Sequence, residues 1–314
     1  MLESNRSVAT RLARVLRAAT GLSDVVAESD PASLRSMLGE DPILLACDAS
    51  DLDLALEWCE TRYPQMRVIC WSNSSMDPLL EAAQRSSKLA ACVGWPSFAS
   101  TPRPWEIGLA ARRLTAENAS APRLSEIFSW GSTAVKFRPK TSRDRDAIVT
   151  EASTLAERAG APSRTAQRVG EVAHELLMNA MYDAPSDDDG QPLYAHDRKQ
   201  ELDLDERDTP TFRFATDGIH VALQVVDRFG RLERRHVIDG ILRGRSSGDS
   251  GPQIDTSGGG AGLGLSRIYS NSTVMLVDVE PRRYTSVTAF FDLDVNPREA
   301  RSLPVSLHLF GTTP

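Results

Sequence analysis

The chain has 314 residues, a net charge of −7 and 41% hydrophobic residues, a composition typical of a globular protein with about two domains. The acidic balance argues against a general nucleic-acid-binding surface. No apolar run approaches the roughly 20 residues needed to span a bilayer, and the polar N-terminus lacks the apolar core of a signal peptide. We therefore expect a cytoplasmic protein with no membrane insertion and no nucleic-acid partner.

The four cysteines are scattered among apolar neighbours in the first third of the chain, at Cys47, Cys59, Cys70 and Cys92. None belongs to a Cys-x-x-Cys pair, which is a spacing typical of zinc and redox sites. We predict that they are reduced core residues and not metal ligands or disulfide partners.

Helical and strand-like segments alternate over residues 1–116. Amphipathic stretches predict helices at residues 5–19, 31–38, 52–59, 78–83 and 105–114. Apolar runs predict strands at residues 24–27, 43–47, 67–71 and 89–93. Continuous apolar strands separated by helices indicate an α/β domain with a parallel sheet that is covered on both faces.

Asp48 ends one predicted strand, Ser72 follows the next, and Trp95 precedes Pro96 after the last. In this pattern the segment resembles a response-regulator receiver domain, which has a flavodoxin-like parallel sheet. The resemblance puts Asp48 near the phosphoacceptor position and Ser72 at the usual hydroxyl, whereas Trp95 stands where receivers carry lysine. The acidic pair that would hold Mg²⁺ has no clear counterpart. We interpret residues 1–116 as a pseudo-receiver in which Asp48 is either phosphorylated or a helix-capping aspartate.

Residues 117–133 are small and polar and are predicted to link this domain to a second one at residues 134–314. Helices are predicted there at residues 143–159 and 163–182, and strands at 135–139, 211–215, 219–226, 274–277 and 286–291. The pair Asp217–Gly218 predicts the turn of a hairpin. An acidic loop at about residues 183–210 is either a lid or partner contact, or a solvated insertion.

The predicted helix at residues 163–182 carries a polar face beside its apolar stripe. Glu175 and Asn179 lie one turn apart on that face, and Asp183 is a further candidate nucleotide contact. An asparagine oxygen suits Mg²⁺, which takes few protein ligands, and a glutamate one turn earlier can deprotonate a nucleophile near a terminal phosphate. By itself this spacing is more often a solvated helix face.

A glycine run and a strand-ending aspartate add to this helix. Successive N–H groups of a glycine run can surround phosphate oxygens, and a helix start at residues 265–269 would add its dipole. Asp227, after the strand at residues 219–226, is expected to be partly buried and to accept a hydrogen bond from an adenine amino group, while Gly230 leaves room for the base. The candidate contacts in the run are Gly258, Gly259, Gly260, Gly262, Leu263 and Gly264.

In this order the three segments give residues 134–293 a definite resemblance to the ATP-binding domain of the gyrase, chaperone, histidine-kinase and MutL (GHKL) superfamily. The helix supplies its N box, the segment from Asp227 to Gly230 its first glycine box, and the glycine run its second. The strand at residues 135–139 and the helices that follow are most similar to anti-sigma-factor serine kinases. The resemblance implies a Bergerat α/β sandwich with a mixed sheet.

The resemblance also implies roles for these residues. Glu175 is expected to be the general base, Asn179 the Mg²⁺ ligand, Asp227 the adenine contact and the glycines the phosphate contacts. The implied cofactors are ATP and Mg²⁺, and the implied partner is a sigma factor, an antagonist or another regulator, with a homodimer also allowed.

Two departures from the family pattern keep a second function open. Arg228 and Phe229 are expected to crowd the adenine side, and no glycine stands at the last box near Tyr284. The two main hypotheses are a bacterial protein serine/threonine kinase of the anti-sigma type and a non-catalytic, nucleotide-sensing adaptor that works through protein–protein contacts. A third, a weak ATPase whose slow hydrolysis gates a conformational switch, lies between them.

Overall fold

Contacts within the chain divide the protein into two units. Unit 1 comprises Met1–Ser120 and Leu303–Phe310, and unit 2 comprises Ala121–Ser302 and Gly311–Pro314. The computed structural model describes residues 1–96, 102–116, 123–124, 128, 132–187, 189–246, 261–295 and 303–311. Within these ranges no helix has both the length and the apolar character needed to cross a membrane.

Unit 1 contains the alternating helices and strands that the sequence predicts. Its helices are α1 (Arg6–Thr20), α2 (Pro31–Met37), α3 (Leu52–Thr61), α4 (Asp77–Arg85) and α5 (Pro104–Thr115). Its strands are β1 (Leu44–Asp48), β2 (Arg67–Ser72), β3 (Leu89–Gly94) and β9 (Ser306–Phe310). Asn5 and Asp30 cap α1 and α2, because each side chain accepts hydrogen bonds from backbone N–H groups of the first turn.

The sheet of unit 1 is mainly parallel. Strands β1, β2 and β3 pair in that order, and Leu2 makes parallel bridges to both Cys47 and Glu28 on the other side of β1. The neighbours across the sheet are therefore Glu28, Leu2, β1, β2 and β3. If these five positions are numbered in chain order, with Leu2 first and Glu28 second, the order across the sheet is 2-1-3-4-5. The strand predicted at residues 24–27 is therefore reduced to one bridge at Glu28.

All four cysteines are free and buried, as predicted. Cys47, Cys70 and Cys92 lie side by side on β1, β2 and β3. Cys59 lies in α3, where burial raises the pKa of its thiol to about 11. Buried, protonated thiols of this kind act as small apolar side chains.

Strand β9 pairs antiparallel with β3 and was not predicted. His308 Nε2 of β9 lies 2.8 Å from Glu106 Oε1 of α5, and both residues are fully buried. Arg103 donates to Glu106 at 3.2 Å and to the Gly94 carbonyl at 2.9 Å. Burial opposes ionisation, but the hydrogen bond and charge of His308, with Arg103 and Ser306, hold the pKa of Glu106 below its usual value.

The position of β9 changes the predicted domain boundary. The sequence assigned all of residues 134–314 to the second domain, whereas Leu303–Phe310 belongs to unit 1. The cause is the backbone pairing of β9 with β3 and the contact of His308 with Glu106 of α5. No local pattern in the sequence reveals either contact.

Unit 2 has a sheet with the order β7-β8-β6-β5-β4, joined by antiparallel pairs. Its strands are β4 (Thr133–Phe137), β5 (Thr211–Thr216), β6 (His220–Asp227), β7 (Val274–Glu280) and β8 (Tyr284–Asp292). Its helices are α6 (Ser142–Arg158), α7 (Ser163–Met178), α8 (Arg234–Ser246) and α9 (Ala261–Asn271), with a π-helical turn at Asn179–Asp183. Taken over both units, the predicted α/β class is confirmed.

Two helices of unit 2 differ from the prediction. Helix α8 was not predicted, although Val237, Ile238 and Ile241 give it a buried face. Helix α9 begins at Ala261 and not at residue 265, so part of the glycine run is helical.

The hairpin of β5 and β6 turns where the sequence predicts it. The Asp217 carboxylate accepts from the N–H groups of Ile219 and His220, and Gly218 has a φ of 87°. The turn is thus closed by a side chain that satisfies two backbone donors.

The acidic loop before β5 is anchored on the start of α6. The Ser142 N–H donates to the Leu202 carbonyl and the Leu202 N–H donates to Ser142 Oγ. Tyr182 donates its hydroxyl proton to the Gln200 carbonyl at 2.9 Å, and Leu204 is buried. The loop is therefore packed against unit 2 and not only solvated.

The buried pair in unit 1 yields a stability prediction. His308→Ala leaves the Glu106 carboxylate without its ring partner, and breaking such a pair is expected to cost about 3–5 kcal/mol. His308→Gln keeps a donor and is expected to cost about 1 kcal/mol. Urea unfolding followed by circular dichroism measures both. Equal losses in the two variants would contradict a role for the hydrogen bond.

Candidate functional site

A cavity of about 290 Å³ opens in unit 2 between α7, the π-helical turn and the sheet. Its apolar walls include Leu176, Ala180, Val225, Leu265 and Val287. Its polar lining comes from Asn179, Asp183, Asp227 and Thr285, with Arg231, His236 and Arg243 added from the segment around α8. An apolar cavity with a few converging polar groups is the usual form of a small-molecule site.

Asp227 ends β6 and points into the cavity from the sheet. Its carboxylate accepts from the Phe229 N–H at 2.8 Å, and the Gly230 N–H and Thr285 also bond to it. Burial, only partly offset by these hydrogen bonds, raises the pKa of Asp227 to about 6. A buried carboxylate held by backbone donors can still accept a hydrogen bond from a ligand amino group.

Asn179 and Asp183 stand at opposite ends of the π-helical turn. The Ala184 N–H donates to the Asn179 carbonyl, so the turn is widened by one residue, a feature frequent at functional sites. Asn179 Oδ1 is buried and has no hydrogen-bond partner among the described residues. An acceptor oxygen left unsatisfied beside a cavity is suited to a cation or a ligand donor.

Asp183 is held by Arg198 of the acidic loop. Arg198 Nε donates to Asp183 Oδ1 at 3.0 Å, and its Nη2 donates to Oδ2. Burial raises the pKa of Asp183, and Arg198 opposes that rise. The acidic loop thus reaches the rim of the cavity through this ion pair.

Glu175 lies one turn before Asn179, and a side chain of α9 contacts it. Arg267 Nη1 donates to Glu175 Oε1 at 2.7 Å, with the Glu175 side chain 10% exposed and that of Arg267 67% exposed. A Cβ on Gly264 would lie 2.8 Å from Glu175 Oε2 and 3.4 Å from Asn179 Oδ1. The glycine at this position allows α9 to approach both polar side chains.

The other glycine predictions have different outcomes. Gly258, Gly259 and Gly260 lie outside the described residues. Gly262 and Leu263 fall in the first turn of α9, and Leu263 is 47% exposed.

Gly230 does not line the cavity. It has a φ of 60°, and a Cβ there would meet the Glu280 carbonyl at 2.2 Å. We predicted that this glycine leaves room for a base, but the structure shows that it accommodates the turn at residues 280–283 instead.

Arg228 and Phe229 also lie away from the cavity, contrary to the expected crowding. Arg228 Nε forms an ion pair with Asp208 Oδ1 at 2.8 Å, and its guanidinium lies over the Phe229 ring. Phe229 is itself buried. The ion pair with the acidic loop draws the arginine away from the site.

No protein-family model matches the chain, and no curated protein matches it. Among solved structures, a chain of the SiaB–SiaC complex from Pseudomonas aeruginosa is similar to it, with 18% sequence identity and a TM-score of 0.32. The likeness covers 50% of this chain and 88% of that one. At this TM-score it carries no conclusion about fold, activity or partners.

Two arginines and a histidine at the cavity were missed by the sequence reasoning. Arg231, His236 and Arg243 line it, and all three are exposed. The dense basic stretch at residues 228–236 is the signal that points to Arg231 and His236, and Arg243 follows within α8. Exposed cations beside an apolar cavity favour an anionic ligand.

The described residues contain no cluster of three or more His, Cys, Asp or Glu that could hold a metal by itself. Mg²⁺ does not need such a cluster, because it retains water and binds phosphate oxygens with one or two protein ligands. The unsatisfied oxygen of Asn179 fits that requirement.

The receiver-like residues of unit 1 have local partners. Asp48 Oδ1 accepts from the Ser50 N–H at 3.0 Å and caps a short 3₁₀ turn, as one of the two alternatives predicted. Ser72 Oγ lies 3.1 Å from Ser74 Oγ. Glu3 follows the first strand position and accepts from Trp71 Nε1 at 3.1 Å.

The raised pKa of Asp227 predicts a pH-dependent stability. Because the folded pKa, about 6, exceeds the ordinary 3.8, the stabilisation from its proton is complete below about pH 4 and is lost as the pH rises through 6. The full effect is up to about 3 kcal/mol, since one pKa unit corresponds to about 1.4 kcal/mol. Asp227→Asn lacks this titration.

Urea unfolding of the wild type and Asp227→Asn between pH 4 and pH 7 measures it. We expect the wild type to lose stability relative to the variant as the pH rises. A difference that stays constant over this range would show that Asp227 has an ordinary pKa.

Proposed function

We propose that the protein is a cytoplasmic bacterial signalling protein that binds Mg²⁺–ATP in the cavity of unit 2 and transfers the terminal phosphoryl group to a serine or threonine hydroxyl of a partner protein. The observation that carries the proposal is that Asp227 and Asn179, with its unsatisfied oxygen, line this cavity, and that Glu175 lies beside Asn179 where both face Gly264 of α9. These residues lie on different elements and are up to 52 positions apart in the chain (227 − 175).

The two ends of the cavity suit the two ends of ATP. Asp227 lies deep on the sheet side, where it would accept a hydrogen bond from the adenine amino group. The exposed Arg231 and Arg243 supply positive charge for the phosphates. Helix α9 directs its N-terminal turn toward Glu175 and Asn179, and a helix N-terminus favours phosphate.

The proposed reaction is an in-line displacement. The acceptor oxygen forms a bond to the γ-phosphorus, the bond from that phosphorus to the β–γ bridging oxygen breaks, and ADP leaves with the electron pair. The hydroxyl proton passes to the Glu175 carboxylate. Mg²⁺, held by Asn179 when bound, would neutralise phosphate charge.

The architecture of both units supports the resemblances. Unit 2 combines a five-stranded antiparallel sheet with four helices, which supports an α/β sandwich. In unit 1 the parallel order 2-1-3-4-5 is that of flavodoxin-like domains, and a helix follows each position. We therefore propose that unit 1 is a pseudo-receiver that mediates contacts with a sigma factor, an antagonist, another regulator or a second copy of the chain.

A second function, a nucleotide-sensing adaptor without catalysis, is favoured by one observation. The carboxylate proposed as general base is already in an ion pair with Arg267. If Glu175 stays paired with Arg267, the protein would bind ATP but would not turn it over.

Nucleotide binding and turnover by three variants separate these functions. Glu175→Ala is expected to bind ATP as the wild type does but to lose about 10²–10⁴-fold in turnover, the usual contribution of a general base. Asn179→Ala should lose the Mg²⁺ dependence of binding. Calorimetry and an ADP-release assay measure the two quantities.

The matched control is Glu171→Ala. Glu171 lies one turn before Glu175 on α7, is exposed and bonds to Gln167 at 3.1 Å. It should leave binding and turnover unchanged. Wild-type turnover no faster than that of Glu175→Ala would rule out the kinase, and binding with no turnover would support the adaptor.

The two arginines that line the cavity, Arg231 and Arg243, lead to a separate prediction. Arg231→Ala and Arg243→Ala should each weaken ATP binding about three- to tenfold, the effect of one charge contact near the surface, and added salt should reduce the difference. Adenosine binding should not change. Arg235→Ala is the control, because Arg235 pairs with Glu233 at 2.6 Å and does not line the cavity. Equal weakening of adenosine and ATP would contradict a phosphate contact.

A further inference from the structure

Both carboxylate oxygens of Glu175 face α9. Oε1 accepts a hydrogen bond from Arg267 Nη1 at 2.7 Å, and Oε2 lies toward Gly264, where a Cβ would come within 2.8 Å of it. Arg267 and Gly264 are three positions apart, so they share one face of the helix. One face of α9 therefore covers the group that the proposed reaction needs to be free.

The ion pair is asymmetric in its exposure. Glu175 is buried, and among the described residues Arg267 is the one whose side chain bonds to its carboxylate. Arg267 is 67% exposed and can leave without disturbing the core. A buried carboxylate with a detachable partner is suited to switching between a paired and a free state.

The pair conflicts with the proposed chemistry. A general base must accept the hydroxyl proton on an oxygen lone pair within hydrogen-bond reach of the acceptor. Arg267 already donates to Oε1, and the α9 backbone lies beside Oε2. While the pair persists, the arginine holds Oε1 and the α9 backbone lies beside Oε2, so the carboxylate is less accessible to an incoming hydroxyl.

We propose that Arg267 is a positioning residue that holds Glu175 in a resting, ion-paired state and so restrains turnover of ATP without contributing to nucleotide binding. This inference rests on the proposed function of the cavity and adds a form of regulation to it. The restraint lies within unit 2 and needs no additional protein.

The test compares steady-state ATP turnover by the full chain in three variants. Arg267→Gln should raise kcat about tenfold, a part of the roughly 10²–10⁴-fold effect of a free general base, and should change KM for ATP by less than about twofold. Arg267→Lys keeps the charge near Oε1 and should stay close to the wild type.

Arg283→Gln is the matched control. Arg283 is 74% exposed and pairs at 2.7 Å, the same distance as in the Arg267 pair, but its partner is Glu280 and not Glu175. Its kcat and KM should equal those of the wild type. An unchanged or lower kcat in Arg267→Gln, or a rise in KM without a rise in kcat, would overturn the inference, because Arg267 would then be neutral or a phosphate contact.

Binding of a fluorescent ATP analogue separates failure of this inference from failure of the proposed function. If the wild type and all variants bind no nucleotide, the proposed function fails and the restraint on turnover fails with it. If they bind but Arg267→Gln turns over ATP no faster, only the inference fails.

A double-mutant cycle, measured by thermal unfolding in the absence of nucleotide, tests the coupling of Arg267 and Glu175. Arg267→Gln should lower Tm by leaving a buried charge unpaired, and adding Glu175→Gln should restore it, because the double variant has no charge to pair. Additive Tm changes would show that the two side chains are not coupled and would overturn the inference.

Discussion

Helix α9 packs against helix α7 at a glycine, and the geometry of the candidate site follows from that approach. Because Gly264 has no side chain, its backbone lies beside the Glu175 carboxylate and the Asn179 amide. The same approach brings Leu265 to the cavity wall and Arg267 to Glu175. A Cβ at position 264 would lie 2.8 Å from Glu175 Oε2 and would displace that carboxylate, so Glu175, Asn179 and the start of α9 could no longer lie together in this way.

Burial sets the electrostatics around this contact. Asp227 lies in the sheet with a raised pKa, Asp183 is compensated by Arg198, and the exposed Arg231 and Arg243 also line the cavity. The cavity lining therefore combines carboxylates of the sheet and the π-helical turn with arginines of the segment around α8. Perturbed carboxylates in a cleft are typical of functional sites.

In unit 1 the comparable constraint is the buried contact of Glu106 with His308. It fixes the final strand, β9, against β3, although the chain between residues 120 and 303 belongs mostly to unit 2. The chain consequently passes from one unit to the other three times, after Ser120, Ser302 and Phe310. The stability of unit 1 depends on residues near the C-terminus, which a division of the sequence into two consecutive domains does not anticipate.

The sequence by itself determined the buried strands, the amphipathic helices, the hairpin turn at Asp217–Gly218 and the polar face that carries Glu175 and Asn179, because each depends on periodicity or turn chemistry within a short window. It did not determine β9, the role of Gly230, or the position of Arg231, His236 and Arg243 at the cavity. Those depend on pairings between residues far apart in the chain. Tertiary structure alone decided that Arg228 turns away to Asp208 and that Arg267 reaches Glu175. The physical reason is that an arginine at the surface takes the carboxylate that packing brings within its reach, and no local pattern specifies which one that is.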